Sequence, residues 1–121
     1  MLQNLKSHQT KQYAFFRIPK ELITNPRYKK LSTDAKLLYT LMLDRVELSE
    51  KNDWIDRNGN VYIYFTVSSI RESLCCSKGK AISLLAELDR PKGIGLIERR
   101  KQGCGNPDRL YVKDFMSGIA L

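Results

Sequence analysis

Hydrophobic positions recur along this chain with two different periods, and the switches between them predict the order of its elements. Residues 1 to 12 are polar apart from Met1, Leu2 and Leu5 and hold neither period, which predicts an N-terminal arm. Tyr13 to Ile18 is an aromatic and β-branched run stopped by Pro19, so it reads as a short edge strand. Asn25-Pro26 then marks a turn. A helix is predicted from Ser32, whose hydroxyl can cap it, to about Leu48. Leu37, Leu38, Leu41, Met42 and Val46 recur at helical spacing and predict its buried stripe.

Beyond that helix the period falls to two. Trp54 to Asp56 and Val61 to Phe65 flank Arg57-Asn58-Gly59-Asn60, and Asn-Gly supplies the positive φ angles of a tight hairpin turn. Tyr62 and Tyr64 are accounted for by aromatic packing across that hairpin. Thr66 can cap a second helix, Val67 to about Leu74, and Ser77 a third that stops before Pro91. The apolar residues of the third, Ala81, Leu84, Leu85 and Leu88, share one sector. Two short amphipathic helices joined by about three residues form a helix-turn-helix. Leu96 to Lys101 and Arg109 to Val112 flank a loop rich in turn-formers and complete a final hairpin. The predicted fold class is therefore α+β: a winged helix-turn-helix with an additional N-terminal strand and β-hairpin.

Length and composition narrow the class further. A chain of 121 residues suits one core, here predicted over residues 13 to 115. No apolar run approaches the roughly 20 residues of a membrane span, and the amino terminus lacks a signal-peptide core, so a cytoplasmic location is expected. Cys75, Cys76 and Cys104 show no zinc spacing and read as free thiols. The formal charge of +8 attracts polyanions, nucleic acid foremost. That charge is even along the chain: residues 1 to 60 carry 11 basic against 7 acidic side chains and residues 61 to 121 carry 10 against 6, or +4 in each part. Placement must therefore decide what the charge does.

Three groups of side chains suit double-stranded DNA. Ser77, Lys78, Gly79, Lys80 and Ser83 occupy the outer face and amino-terminal turns of the third helix, where small and hydrogen-bonding residues allow close approach to base edges in a major groove. Arg99, Arg100, Lys101, Gln102, Asn106 and Arg109 lie on the final hairpin, the wing, and suit contact with the backbone or a narrow minor groove. Thr66, Ser68, Ser69 and Arg71 start the second helix and are weaker candidates for a phosphate contact, since capping alone explains Thr66. His8 is the only histidine and no phosphate-binding GxxxxGK[ST] loop is present, so neither a catalytic role nor a metal or other cofactor is expected. A transcriptional repressor or a protein-interaction module with the same fold remains open on these grounds.

The stretches FFRIPKELITNPRYKKLSTDAKLLYTLMLDRVELS, GNVYIYFTVSSI and GIGLIERRKQGCGNPDRLYVKDF resemble the N-terminal domain of the RepA_N family of plasmid replication initiators from Gram-positive bacteria, especially those of staphylococcal multiresistance plasmids. The resemblance runs from about Tyr13 to Phe115. It implies a winged helix that forms a homodimer and binds repeated sites in a plasmid origin to initiate replication. It places the recognition helix on Ser77 to Arg90 and the wing on Arg99 to Arg109. It also implies a further C-terminal domain that engages host replication proteins, so residues 116 to 121 are expected to end the chain ahead of that domain.

Overall fold

The computed structural model describes residues 1 to 117; the expected C-terminal end, residues 116 to 121, thus lies partly outside the described residues. Among the described residues, four α-helices and a two-stranded antiparallel hairpin form a winged helix-turn-helix: α1 (Lys20–Thr24), α2 (Thr33–Lys51), α3 (Val67–Leu74), α4 (Lys78–Leu88), β1 (Ile97–Arg100) and β2 (Arg109–Val112). Each of the three longer helices begins at a hydroxyl that accepts an otherwise orphaned amide. Ser32 accepts from the Ala35 amide, Thr66 from that of Ser69 and Ser77 from that of Lys80. The two helices of the helix-turn-helix part at Cys75, whose φ of 52° is left-handed, while the Cys76 amide closes onto the Arg71 carbonyl.

The core lies between α2, the helix-turn-helix and the inner face of the hairpin. Ala35, Leu38, Tyr39 and Met42 of α2 meet Ile70 of α3, Ala81, Leu84, Leu85 and Leu88 of α4, and Ile97 and Leu110 of the wing. The buried sector of α2 is rotated from the predicted one. Leu37 is exposed, and Leu41 and Val46 are half-buried, because Tyr39 carries its phenol into the core and draws the buried sector toward Ala35 and Tyr39.

Two polar ties fix the outer elements to this core. Glu87 of α4 accepts from the Ser32 amide at 2.8 Å and the Ser32 hydroxyl at 2.7 Å, so one carboxylate caps α2 from another helix. Tyr39 donates to the Lys113 carbonyl and Tyr28 to that of Phe115, which holds the chain after β2 against α2 and the turn that precedes it. Gly93 follows α4 where a Cβ would lie 2.0 Å from the Glu87 carbonyl oxygen, so only glycine lets the chain fold back over the end of the helix and enter the wing.

The structure departs from expectation at the amino-terminal side. Tyr13 to Ile18 forms no strand, since no neighbouring backbone offers it a ladder, and a run of strand-forming residues cannot supply its own partner. Residues 20 to 24 form the short helix α1, bounded by Pro19 and Asn25, where the sequence shows no period long enough to predict one. The hairpin before α3 is reduced to a bridge between Ile55 and Val61 around a turn that includes Gly59 at φ 82°. Ile63 then bridges to Leu110, so the Tyr62 to Tyr64 segment lies beside β2 as a third row of the wing sheet. No helix among the described residues is long and apolar enough to cross a membrane.

Candidate nucleic-acid interface

Helix α4 buries one sector and leaves the opposite one open. Ala81, Leu84, Leu85 and Leu88 face the core, while Lys78, Gly79, Lys80, Ile82 and Ser83 are exposed. Nothing lies within 4 Å of the space above Gly79, so the first turns of α4 form a low, unobstructed surface. The Ser77 hydroxyl is occupied by the cap, accepting from the Lys80 amide at 3.1 Å. Lys80 reaches back to α2, its Nζ 3.0 Å from Asp34 Oδ2, and that carboxylate raises the pKa of the ammonium.

Ile82 is a residue that sequence reasoning passed over. It is 49% exposed on a helix whose other large apolar side chains are buried. Its position outside the sector of Ala81, Leu85 and Leu88 was the available signal, because an aliphatic side chain there covers no core. On the same surface it offers a methyl-bearing contact beside hydroxyl and ammonium groups.

The wing divides its cations between two faces. β1 pairs with β2 so that Arg99 stands opposite Leu110 and Arg100 opposite Arg109. Alternation then points Arg99 toward the helices, where its guanidinium grips Asp89, the residue that ends α4, at 2.6 Å and 2.7 Å. Arg100 and Arg109 lie on the outer face, over the rings of Tyr111 at 4.9 Å and Tyr62 at 4.3 Å. Gln102 donates to the Tyr64 hydroxyl and to the Pro107 carbonyl, both at 3.0 Å, and so braces the base of the loop. Lys101 is exposed where the loop leaves β1, and Asn106 is exposed toward its tip.

The start of α3 adjoins this loop. Thr66, Arg99, Pro107 and Asp108 line one cleft of about 210 Å3, which places the α3 cap beside the wing. Thr66 and Ser69 satisfy one another, hydroxyl to hydroxyl at 3.0 Å, so capping uses both groups. Ser68 is exposed and Arg71 is an exposed cation that forms no ion pair among the described residues. The structure thus brings the start of α3 to the wing loop and ties β1 to the end of α4, joining the helix-turn-helix and the wing along one side of the molecule.

Comparisons with known proteins agree in one direction. A family model described as "Replication initiator protein A (RepA) N-terminus" matches residues 14–120. A curated relative from Lactobacillus helveticus, the "41 kDa protein", is 33% identical over 117 residues, a match covering 92% of this chain. The chain spans about a third (32%) of that relative's length. Among solved structures, one described as "N-Terminal domain of DNA binding protein" superposes with a TM-score of 0.74 at 31% identity, covering 94% of this chain and 85% of its own. A "Structure of Rep-DNA complex" gives 0.73 at 31% identity over 93% and 84%, and a "Structure of MDR initiator" 0.70 at 33% over 93% and 86%.

Proposed function

The chain belongs to the RepA_N family, the N-terminal region of replication initiator protein A, and from that membership we propose that it binds double-stranded DNA at repeated sites in a plasmid origin to initiate replication there. The observation that carries this reading is the open outer face of α4, with Gly79 and Ser83 at its centre and nothing covering it. A helix enters a major groove only when such a face is low enough for base edges to come within hydrogen-bond distance. Similarity to a solved Rep-DNA complex supports the same assignment.

In this reading Lys78, Lys80 and Ser83 supply donors to bases or flanking phosphates, and Ile82 meets thymine methyl groups. Asn106, exposed at the wing tip, contacts the backbone of the duplex, and Ser68 and Arg71 add a phosphate contact from α3. Arg99 acts indirectly: by holding Asp89 it sets the angle between wing and helix. The domain is non-enzymatic, cytoplasmic and dimeric. The exposed Tyr13, Phe15, Phe16 and Ile18 suit self-association, and host replication proteins are engaged by regions of the initiator outside the winged helix.

Fluorescence anisotropy on duplexes carrying origin repeats, and on scrambled ones, tests this. Arg71→Ala weakens both duplexes alike and lowers the salt slope, whereas Ser83→Ala with Ile82→Ala lowers the preference for the repeats. Binding to the repeats that is insensitive to salt would sink the proposal, because phosphate contacts release counterions.

A further inference from the structure

The outer face of the wing carries an arrangement that binding of a duplex by α4 does not use. Tyr62, Tyr64 and Tyr111 stand there in adjacent rows, their rings 5.8 Å (Tyr62 to Tyr64) and 6.3 Å (Tyr62 to Tyr111) apart. Trp54 lies flat against Tyr62, with planes 14° apart and centroids at 6.3 Å, and remains 39% exposed. Arg109 covers the Tyr62 ring and Arg100 the Tyr111 ring.

Beside this stack runs a groove of about 570 Å3, whose lining includes Arg57 from the turn around Gly59 and Arg100, Lys101 and Arg109 from the wing hairpin. Its one carboxylate, Asp56, is engaged on both oxygens: Oδ1 accepts the Asn58 and Asn60 amides and Oδ2 the Tyr111 hydroxyl. Arg57, Lys101 and Arg109 form no ion pair among the described residues, and Arg100 is shared with Glu98 at 3.5 Å. Four cations around a concavity with a single, occupied anion make a site for phosphate.

We propose that this groove binds a single strand of DNA, with phosphate held by Arg57, Arg100, Lys101 and Arg109 and a base stacked on Trp54. Its volume falls within the roughly 300 to 1,000 Å3 of small-ligand clefts, the scale of a nucleotide and far below that of a duplex. A concave cationic track beside exposed aromatic surface is how sequence-tolerant single-strand binding works, because every base has a face to stack. The groove lies on the sheet face away from Arg99 and α4, so a duplex on α4 and a strand in the groove can be held together. An initiator domain so equipped grips its sites and an opened strand of the same origin.

Trp54 is the only tryptophan in the chain, adjoins Ile55 of the groove lining and stacks on the Tyr62 ring that Arg109 covers, so its emission reports on the site's edge. Titration with an oligothymidylate of about 16 nucleotides should quench that emission. Arg57→Glu, on an exposed turn, should weaken oligothymidylate binding about tenfold, the equivalent of about 1.4 kcal/mol, while duplex binding changes by less than about twofold. Trp54→Leu should weaken the strand similarly when followed by anisotropy. Saturating duplex should leave strand binding in place. The proposal fails if oligothymidylate leaves the emission unchanged, if Arg57→Glu binds it as well as the parent, or if duplex displaces it. A parent protein that binds the strand but no duplex would instead overturn the major-groove reading and leave this one standing.

Discussion

Arg99 and Asp89 form the joint between helix and wing. The Arg99 guanidinium meets Asp89 Oδ2 at 2.6 Å and 2.7 Å, and Asp89 Oδ1 accepts the Arg90 amide at 2.8 Å, so both carboxylate oxygens are occupied at the residue where α4 ends. The Asp89 backbone bridges to Ile97, the first residue of β1. Arg99→Ala leaves that nearly buried carboxylate without its cation. Fully buried pairs cost about 3–5 kcal/mol when one partner is removed, but Arg99 is partly exposed and screened, so about 1–2 kcal/mol is expected. Urea unfolding measures it. A midpoint equal to the parent's would mean that the pair does not fasten the wing.

Lys80 and Asp34 form a second pair whose disruption should act in the opposite sense on binding. The ammonium lies 3.0 Å from the carboxylate, and both side chains are about half exposed, so the pair adds little stability. It does hold a cation back from the α4 face and leaves an anion close by. Asp34→Asn frees Lys80 for a phosphate, so duplex affinity should rise and the slope of log K against log salt steepen by about 0.9. Anisotropy over a salt series reads both quantities. An unchanged slope with weaker binding would show that Lys80 works only while it is paired.

What the sequence disclosed and what it withheld follow one physical division. The caps at Ser32, Thr66 and Ser77 and the buried sector of α4 are local, and each was legible because a hydroxyl and its amide, or four apolar residues on one face, lie within a few turns. The strand expected at Tyr13 to Ile18 needed a partner that residue preference does not encode. The phase of α2 was misplaced because Tyr39 was not counted among its core residues, although it is fully buried. In the interface, the identities of the cations were readable but their engagement was not. Arg99 finds its partner ten residues back, Lys80 across to α2, and Arg109 on Tyr62 of another segment. Those are tertiary facts, and they separate cations that hold the wing together from cations free to meet a ligand.

The turn beside the wing should make stability fall in acid. The Asn60 amide, above all, with the Tyr111 hydroxyl and the Asn58 amide, holds the Asp56 carboxyl below its ordinary range, and Arg100 adds to this. Glu98 is lowered likewise, first by its bond from Lys113 and then by Arg100 and Arg90. Folded values below the unfolded ones, which lie near about 3.9 for Asp and 4.3 for Glu, mean stabilisation that is complete above those values. It is lost as pH drops through the folded ones. Denaturant midpoints should therefore decline below about pH 4. Asp56→Asn should lower the midpoint at neutral pH and flatten that decline. A variant with the parent's acid dependence would exclude Asp56 as a source.

Ile82 offers the sharpest separation between affinity and preference on α4. It is 49% exposed, whereas the neighbouring Ala81 and Leu85 are buried, so shortening it removes nothing from the core. Ile82→Ala should leave the urea midpoint within about 0.5 kcal/mol of the parent. If the side chain meets a thymine methyl, affinity for the preferred duplex should fall, by roughly tenfold for a contact worth about 1–3 kcal/mol of discrimination, while random duplex is bound as before. Replacing that thymine by uracil removes the methyl from the DNA side, and the variant should then be insensitive to the change. A loss shared equally by preferred and random duplex would assign Ile82 to general surface contact and shift base reading to Lys80 and Ser83.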